Sequence, residues 1–163
     1  MPTSRSQTFT SLLFSIYIFL AFYVLGGGMV DSLVVFRTWQ YIGPNEFPRF
    51  HQSDNRHIIP VFVIVFFLSF IPQTLLLWFR PRTIPVWMVW LALVLNLVML
   101  ISSITIQIPI QIELDKTFSL PLIRKLIQTD FLLRVVPMAL QAVVNFMMLY
   151  VVVKGKNDQR TVA

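Results

Sequence analysis

An acid and a base four residues apart carry the strongest chemical pattern in the sequence. The stretch TDFLLRVVP contains Asp130 and Arg134, whose spacing places them on one face of a helix. The two side chains can neutralise each other at the edge of a bundle, and replacing both with apolar residues would then be nearly neutral. Alternatively, Arg134 can hold an anionic or developing negative oxygen while Asp130 orients it. The sequence leaves both roles open.

A histidine in the segment FPRFHQSDN is the second candidate for chemistry. Phe47, Phe50, His51 and Asp54 recur at intervals of three and four residues, so they share one face of a short helix. A half-aromatic, half-ionisable face suits an amphipathic helix lying against the mouth of a membrane bundle. It equally suits a site in which His51 acts as a general base. This alternative also stays open.

Other polar residues near the ends of the apolar segments fall toward the same membrane face. Such an accumulation predicts a small-molecule site at one mouth of the bundle, although the uncharged groups can also serve as hydrogen bonds between helices. The predicted catalytic residues are His51, Arg134 and Asp130. The predicted ligand-binding residues are Asp31, Trp39, Glu46, Gln107, Gln111, Glu113, Gln141 and Asn145.

Two connections between apolar segments are predicted to meet at this mouth. In ITIQIPIQIELDK, Pro109 is expected to bend or end the third span and leave a polar helix end. We expect the connection 39–57 to fold onto the connection 107–130. His51 should then approach Gln111 or Glu113 within hydrogen-bonding distance or through one water.

The composition places the chain in a membrane. Of its 163 residues, 56% are hydrophobic and 12% are charged, and the mean hydropathy is +0.75. Four apolar stretches, approximately 9–36, 58–79, 84–106 and 135–153, are long enough to cross a bilayer as helices. We therefore predict an all-α integral membrane four-helix bundle, a single domain over residues 1–163, with short amphipathic helices in the two longer connections.

The charge pattern predicts partners and orientation. A formal charge of +6 suits anionic lipid headgroups, and no pattern indicates nucleic-acid binding. Short basic segments contain Arg80 and Arg82 between two spans and Arg5, Lys156 and Arg160 near the termini. Because short basic loops favour the cytoplasm, we predict both termini there, in a bacterial cytoplasmic membrane. The expected partners are lipid and a lipophilic small molecule, and the oligomeric state is left open.

Several kinds of chemistry are excluded or disfavoured. The chain has no cysteine, which excludes thiol and disulfide exchange. Its two histidines, His51 and His57, share one connection, so they suit neither a bis-histidine haem site nor a standard zinc spacing. No glycine-rich phosphate loop or G-x-S-x-G motif is present. We predict no metal site and identify no cofactor.

Four motifs carry a resemblance to a known group of proteins. They are W-x-x-I-G-x-x-E-F-P-x-F-H at 39–51, Arg80-Pro81, QIPIQIELD at 107–115 and LIQTDFLLR at 126–134. Together they resemble an uncharacterised family of bacterial four-span membrane proteins over about residues 39–153. That family is distantly similar to the anthrone oxygenase-like group, which is associated with oxygenation of aromatic polyketides. Relatives carry histidine or asparagine followed by tryptophan where this chain has Asp130 and Phe131.

Three classes of function follow from these observations. The first is an enzyme, oxygenase-like or isomerase-like, acting on a lipophilic aromatic or quinone-like substrate. The second is a noncatalytic module that binds lipid or a partner subunit. The third is a small proton-coupled exporter, which is disfavoured because Asp31 lies near the end of its span rather than at its middle.

The predicted orientation is testable with reporter fusions. Fusions in the turn 80–83 and at the C-terminus should both report the cytoplasm, and a fusion near Asn45 should report the opposite side. A cytoplasmic result at Asn45 would reverse the orientation and move the predicted site to the cytoplasmic face.

Overall fold

Four long helices make up the chain. The computed structural model describes the backbone of residues 4–161 and the side chains of residues 7–155, so the predicted charges of Arg5, Lys156 and Arg160 lie outside the described side chains. The helices α1 (Gln7–Tyr41), α2 (Phe47–Phe79), α3 (Val86–Leu114) and α4 (Leu120–Gly155) are each long and apolar enough to cross a membrane. The predicted all-α four-helix architecture is confirmed.

Each long helix contains one π-helical turn, in which a backbone N–H bonds to the carbonyl five residues earlier. In chain order the segments are Ser4–Val30, Asp31–Val35, Phe36–Thr38 and Trp39–Tyr41 in α1; Phe47–Ile58, Ile59–Val63 and Ile64–Phe79 in α2; Val86–Ser102, Ser103–Gln107 and Ile108–Leu114 in α3; Leu120–Asp130, Phe131–Val135 and Val136–Thr161 in α4. The helix α1 therefore begins before Gln7, and α4 continues past Gly155.

At one end of the bundle the helices extend beyond the predicted spans. This end, which we call the double-loop end, holds the loops 42–46 and 115–119, whereas the opposite end holds the loop 80–85 and both described termini. The predicted amphipathic helices exist as Phe47–Ile58 and Leu120–Asp130, but each continues without a break into the next long helix. Helical hydrogen bonding persists beyond the point where the sequence stops being apolar.

Proline accounts for several of the π-helical turns. Pro60 lies inside the turn of α2, and Pro109 and Pro137 each come two residues after the turn in α3 and α4. Proline has no N–H to donate and crowds the carbonyl four residues earlier, so a wider turn relieves the clash. Pro109 was expected to bend or end the third helix, and the second alternative is wrong, because α3 continues to Leu114.

Side chains from neighbouring helices bind carbonyls at these turns. Pro137 cannot donate to the carbonyl of Leu133, which instead lies 3.3 Å from the donating hydroxyl of Ser102. The hydroxyl of Tyr23 donates to the carbonyl of Val61 in the turn of α2, at 2.9 Å. Because lipid offers no hydrogen bonds, such contacts satisfy main-chain groups inside the bundle.

The two helical hairpins are related as a tandem repeat. Adding 72 to both boundaries of the π-helical turn in α1 gives those in α3, and the same shift converts the turn of α2 into that of α4. One partner in each of two buried hydrogen bonds follows the relation. Asn96 donates to Gln73 at 2.6 Å, and Tyr17 donates to Asn145 at 2.5 Å. Positions 73 and 145 thus each bind the first helix of the other hairpin, as in membrane proteins built from parallel repeats.

The apolar core is arranged in three layers along the bundle. The layer nearest the loop 80–85 includes Tyr17, Leu76 and Met148. At the double-loop end, a second layer contains Phe36, Trp39, Phe47, Ile110, Leu114, Ile123 and Leu126. The middle layer consists of Val24, Phe62, Phe66, Met99 and Met138.

Two adjacent glycines of α1 test the packing of this middle layer. A Cβ atom on Gly27 would meet Phe62 Cδ2 at 2.9 Å, whereas one on Gly26 meets nothing within 4 Å. Gly27→Ala should lower the melting temperature in detergent because overpacking costs about 1–3 kcal/mol. Gly26→Ala, the matched control, should be stabilising by up to about 1 kcal/mol through helix propensity. Equal melting temperatures for the two variants would contradict the packing at Phe62.

Candidate functional site

A cavity of about 100 Å³ lies in the middle layer of the bundle. All five residues of that layer line it. Every π-helical turn also contributes to its wall, through Asp31 in α1, Phe62 and Val63 in α2, Ser103 and Gln107 in α3, and Arg134 in α4. Because π-helical turns frequently mark functional sites, their meeting around one cavity makes it the candidate site.

The cavity lies across the axis that relates the two hairpins. Five pairs of its lining residues are separated by 72 positions: Asp31 and Ser103, Phe36 and Ile108, Trp39 and Gln111, Phe62 and Arg134, and Phe66 and Met138. The paired positions share their place on the wall but differ in chemistry. Equivalent backbones therefore present different side chains on the two sides of the cavity.

A buried cluster of three charged groups stands at one side of the cavity. Arg134 Nη1 lies 2.8 Å from Asp130 Oδ1, and Arg134 Nη2 lies 3.9 Å from Asp31 Oδ2. Asp130 Oδ1 nevertheless lacks a partner in hydrogen-bond geometry, so its contact with Arg134 is ionic. The guanidinium carbon is also 6.0 Å from the centre of the Phe62 ring. The predicted pairing of Asp130 with Arg134 is thus observed, and Asp31 joins it from α1.

His51 lies beside the cavity region but not on the cavity wall. Its side chain is fully buried, stacked on Phe47 at 5.5 Å between ring centres and edge-on to Trp39 at 4.6 Å. Its Nδ1 is 2.7 Å from Asp115 Oδ1, and Asn55 donates to the same oxygen at 3.1 Å. Trp39 lies on the cavity wall. These contacts fix the ring of His51 within the layer of core at the double-loop end.

The two predicted connections do meet, but through a different acid than expected. Gln111 and Glu113 were the expected partners of His51, and the observed partner is Asp115. Gln52 also donates to the backbone carbonyl of Asp115, at 3.0 Å. The helical continuation of α3 to Leu114 brings the first residue after that helix against α2.

Unpartnered polar atoms line the cavity. Gln107 is 1% exposed, and within the described part of the chain neither its Oε1 nor its Nε2 has a hydrogen-bond partner. The indole Nε1 of Trp39 interacts with the Asp54 carboxylate without reaching hydrogen-bond geometry. Buried polar groups in proteins are almost always satisfied, so orphaned groups on a cavity wall indicate a bound molecule or water.

The remaining predicted residues divide between the cavity and other places. Asp31, Trp39, Gln107, Gln111 and Arg134 line the cavity. Glu46 and Glu113 are exposed near the loops, and Glu113 Oε1 is 3.6 Å from Lys116 Nζ. Gln141 and Asn145 border a second cavity of about 10 Å³, together with Tyr17, Gln73 and Asn96. That volume is close to the space needed for one water.

Several lining residues were missed by the sequence analysis. Asp54 appeared there only as part of an amphipathic pattern, although its carboxylate interacts with Trp39 at the cavity. Asn55 follows it on the same wall, and Met99 and Met138 carry no distinguishing pattern in an apolar helix. Among the side chains of residues 7–155, no group of three or more acids and histidines could hold a metal ion.

The cavity opens sideways between α2 and α3. Two of its lining residues, Phe67 on α2 and Ile108 on α3, are 46% and 43% exposed on the outer surface of the bundle. Phe36, which the repeat relates to Ile108, is 1% exposed. At the corresponding position of the seam between α4 and α1, the cavity wall is therefore buried.

Comparisons of this chain with protein-family models, with curated proteins and with solved structures give no match. The resemblance to four-span membrane proteins at 39–51 and 107–134 therefore stays a prediction. The geometry of the cavity is independent of it.

Asp31 alters what is expected when the Asp130–Arg134 pair is removed. Arg134→Met should lower the melting temperature strongly, since losing one partner of a buried ion pair costs about 3–5 kcal/mol. Asp130→Leu should cost less, because Asp31 still faces the guanidinium. The double variant should lose stability rather than be neutral, and adding Asp31→Leu should restore part of it. A fully stable double variant in detergent melting experiments would exclude a role for Asp31 in the cluster.

Proposed function

We propose that the protein binds a small lipophilic molecule that enters the cavity from the bilayer between α2 and α3. The observation that carries the proposal is Gln107, an entirely buried side chain with two unpartnered amide atoms on the wall of an otherwise largely apolar cavity. Ligand sites are commonly apolar with a few convergent polar groups. The opening at Phe67 and Ile108 supplies a route from lipid.

The volume of the cavity limits the part of the ligand that it encloses. An engineered cavity of about 150 Å³ in another protein binds benzene, so about 100 Å³ corresponds to roughly one ring or a short branched group. A longer ligand would extend through the opening between α2 and α3. The resemblance to the anthrone oxygenase-like group supports an aromatic or quinone-like ligand.

The position of the cavity along the membrane normal suits a molecule with a polar head and an apolar body. The segment 134–154 of α4 rises about 30 Å at 1.5 Å per residue, which equals the thickness of a hydrocarbon core. With Lys154 at one boundary, Arg134 and the cavity lie at the other. A polar head near Arg134 would then sit level with the lipid headgroups.

The proposal assigns binding and no reaction. His51, the predicted general base, is held by Asp115 through Nδ1, and its Nε2 is buried without a hydrogen-bond partner, but His51 does not border the cavity. The predicted bacterial cytoplasmic membrane and cytoplasmic termini remain part of the proposal. They are supported by the short basic segment that contains Arg80 and Arg82.

Two tryptophan substitutions on α4 test the binding site. Met138 lines the cavity, whereas Val143 is 58% exposed on the outer surface of the same helix. Native mass spectrometry of the detergent-solubilised protein with 4-butylbenzyl alcohol should show a bound adduct for the wild type and for Val143→Trp. Met138→Trp should lose the adduct because the indole fills the cavity. An adduct retained in full by a folded Met138→Trp would place binding elsewhere.

A further inference from the structure

The cavity wall carries more acidic than basic side chains. Asp31 and Asp54 line it, and the two carboxylates are near enough to interact electrostatically. Arg134 is the basic side chain on the wall, but its shortest ionic contact is to Asp130. Together with Asp54, the cluster around Arg134 thus brings three carboxyl groups and one guanidinium to this side of the cavity, and Arg134 is already paired with Asp130.

The histidines near Asp54 are held by other groups. His51 and His57 both interact electrostatically with the Asp54 carboxylate. The Nδ1 atom of His51 lies 2.7 Å from the Asp115 carboxylate, and Nδ1 of His57 lies 2.7 Å from the backbone carbonyl of Ser53. Asp54 is half-buried and belongs to no ion pair within the cluster around Arg134. Asp54 also lines the cavity, so a ligand cation there would add an ion pair to its interactions with Trp39 and the two histidines.

Aromatic rings surround the same space. Their faces attract organic cations through the ring quadrupole, most strongly at tryptophan, and cages of such rings bind ammonium groups. The aromatic lining residues are Phe36, Trp39, Phe62, Phe66 and Phe67. The buried Gln107 adds an unpartnered carbonyl oxygen, Oε1, which can accept a hydrogen bond from an N–H group.

We infer that the ligand is a lipophilic amine in its protonated form, with its ammonium group between Asp31 and Asp54 and its apolar body among the aromatic rings. This inference rests on the proposed function and adds the charge of the ligand. An anionic ligand at Arg134 would compete with Asp130 and Asp31 for the guanidinium and would face the carboxylate of Asp54. A cationic ligand is attracted by each of these groups except Arg134.

A matched series of ligands tests the charge preference. We would titrate 4-butylbenzylamine, 4-butylbenzyl alcohol and 4-butylbenzoate against the detergent-solubilised protein and measure adducts by native mass spectrometry at neutral pH. The three probes share one apolar body and differ in the charge of the head. The amine should bind at least about tenfold more tightly than the alcohol, about 1.4 kcal/mol, and the benzoate should bind most weakly.

Variants that remove one acidic charge identify the residue that causes the preference for the amine. Asp54→Asn should remove the preference for the amine over the alcohol, because the amide has a similar volume but no negative charge. Glu113→Gln, at an exposed acid outside the cavity, should keep the full preference. Asp54 is preferred over Asp31 for this test because Asp31 also contacts Arg134, and its loss affects the folded cluster.

The outcomes separate the inference from the proposed function. Equal binding of amine and alcohol, tighter binding of benzoate, or an amine preference that survives Asp54→Asn would each overturn the inference. If the alcohol still binds in the first of these cases and Met138→Trp abolishes that binding, the lipophilic site stands without the charge preference. If no probe binds, both the proposed function and the inference fail.

Discussion

A buried guanidinium sets the arrangement of the bundle. Arg134 is 9% exposed, and removing such a charge from water costs several kcal/mol unless opposite charges compensate it. Asp130 provides one compensating charge from the same helix, and Asp31 provides another from α1. The first and last helices are thereby held together at the level of the cavity. The other seam between the hairpins, between α2 and α3, is joined near the loop after α3 by the contact of His51 with Asp115. It is also where the cavity reaches the outer surface.

The π-helical turns explain how polar groups and an apolar bundle are combined in one structure. A wider turn advances the helix by an extra residue, so residues on its two sides can both face the interior despite breaking the usual period of 3.6. In α1 this places Asp31 and Phe36, five residues apart, on one cavity wall, and in α3 it does the same for Ser103 and Ile108. The double-loop end can then be amphipathic while the rest of each helix stays apolar.

Much of the architecture could be predicted from the sequence, because composition and apolar length determine membrane helices directly. The spacing of Asp130 and Arg134 was also sufficient to predict their pairing, since both lie on one helix. The sequence did not reveal where the helices end, because the π-helical turns change the helical phase and carry the chain past Pro60 and Pro109. It also did not identify the meeting of His51 with Asp115, which depends on how two helices end against each other. The repeat was hidden because positions such as Phe62 and Arg134 share an environment but not a chemical type.

The relation between the hairpins has a consequence for a bound molecule. A bundle made of two identical copies of one hairpin would have two equivalent openings to the lipid, one at each seam. The cavity between them would be symmetric. In the present chain, one opening is blocked by Phe36 and by the contact of Asp31 with Arg134. The other opening is bordered by Ile108 and Phe67. In a single chain, each hairpin can differ from the other in sequence. The two ends of a molecule bound in the cavity therefore meet different side chains. A symmetric pair of hairpins could not distinguish one end from the other.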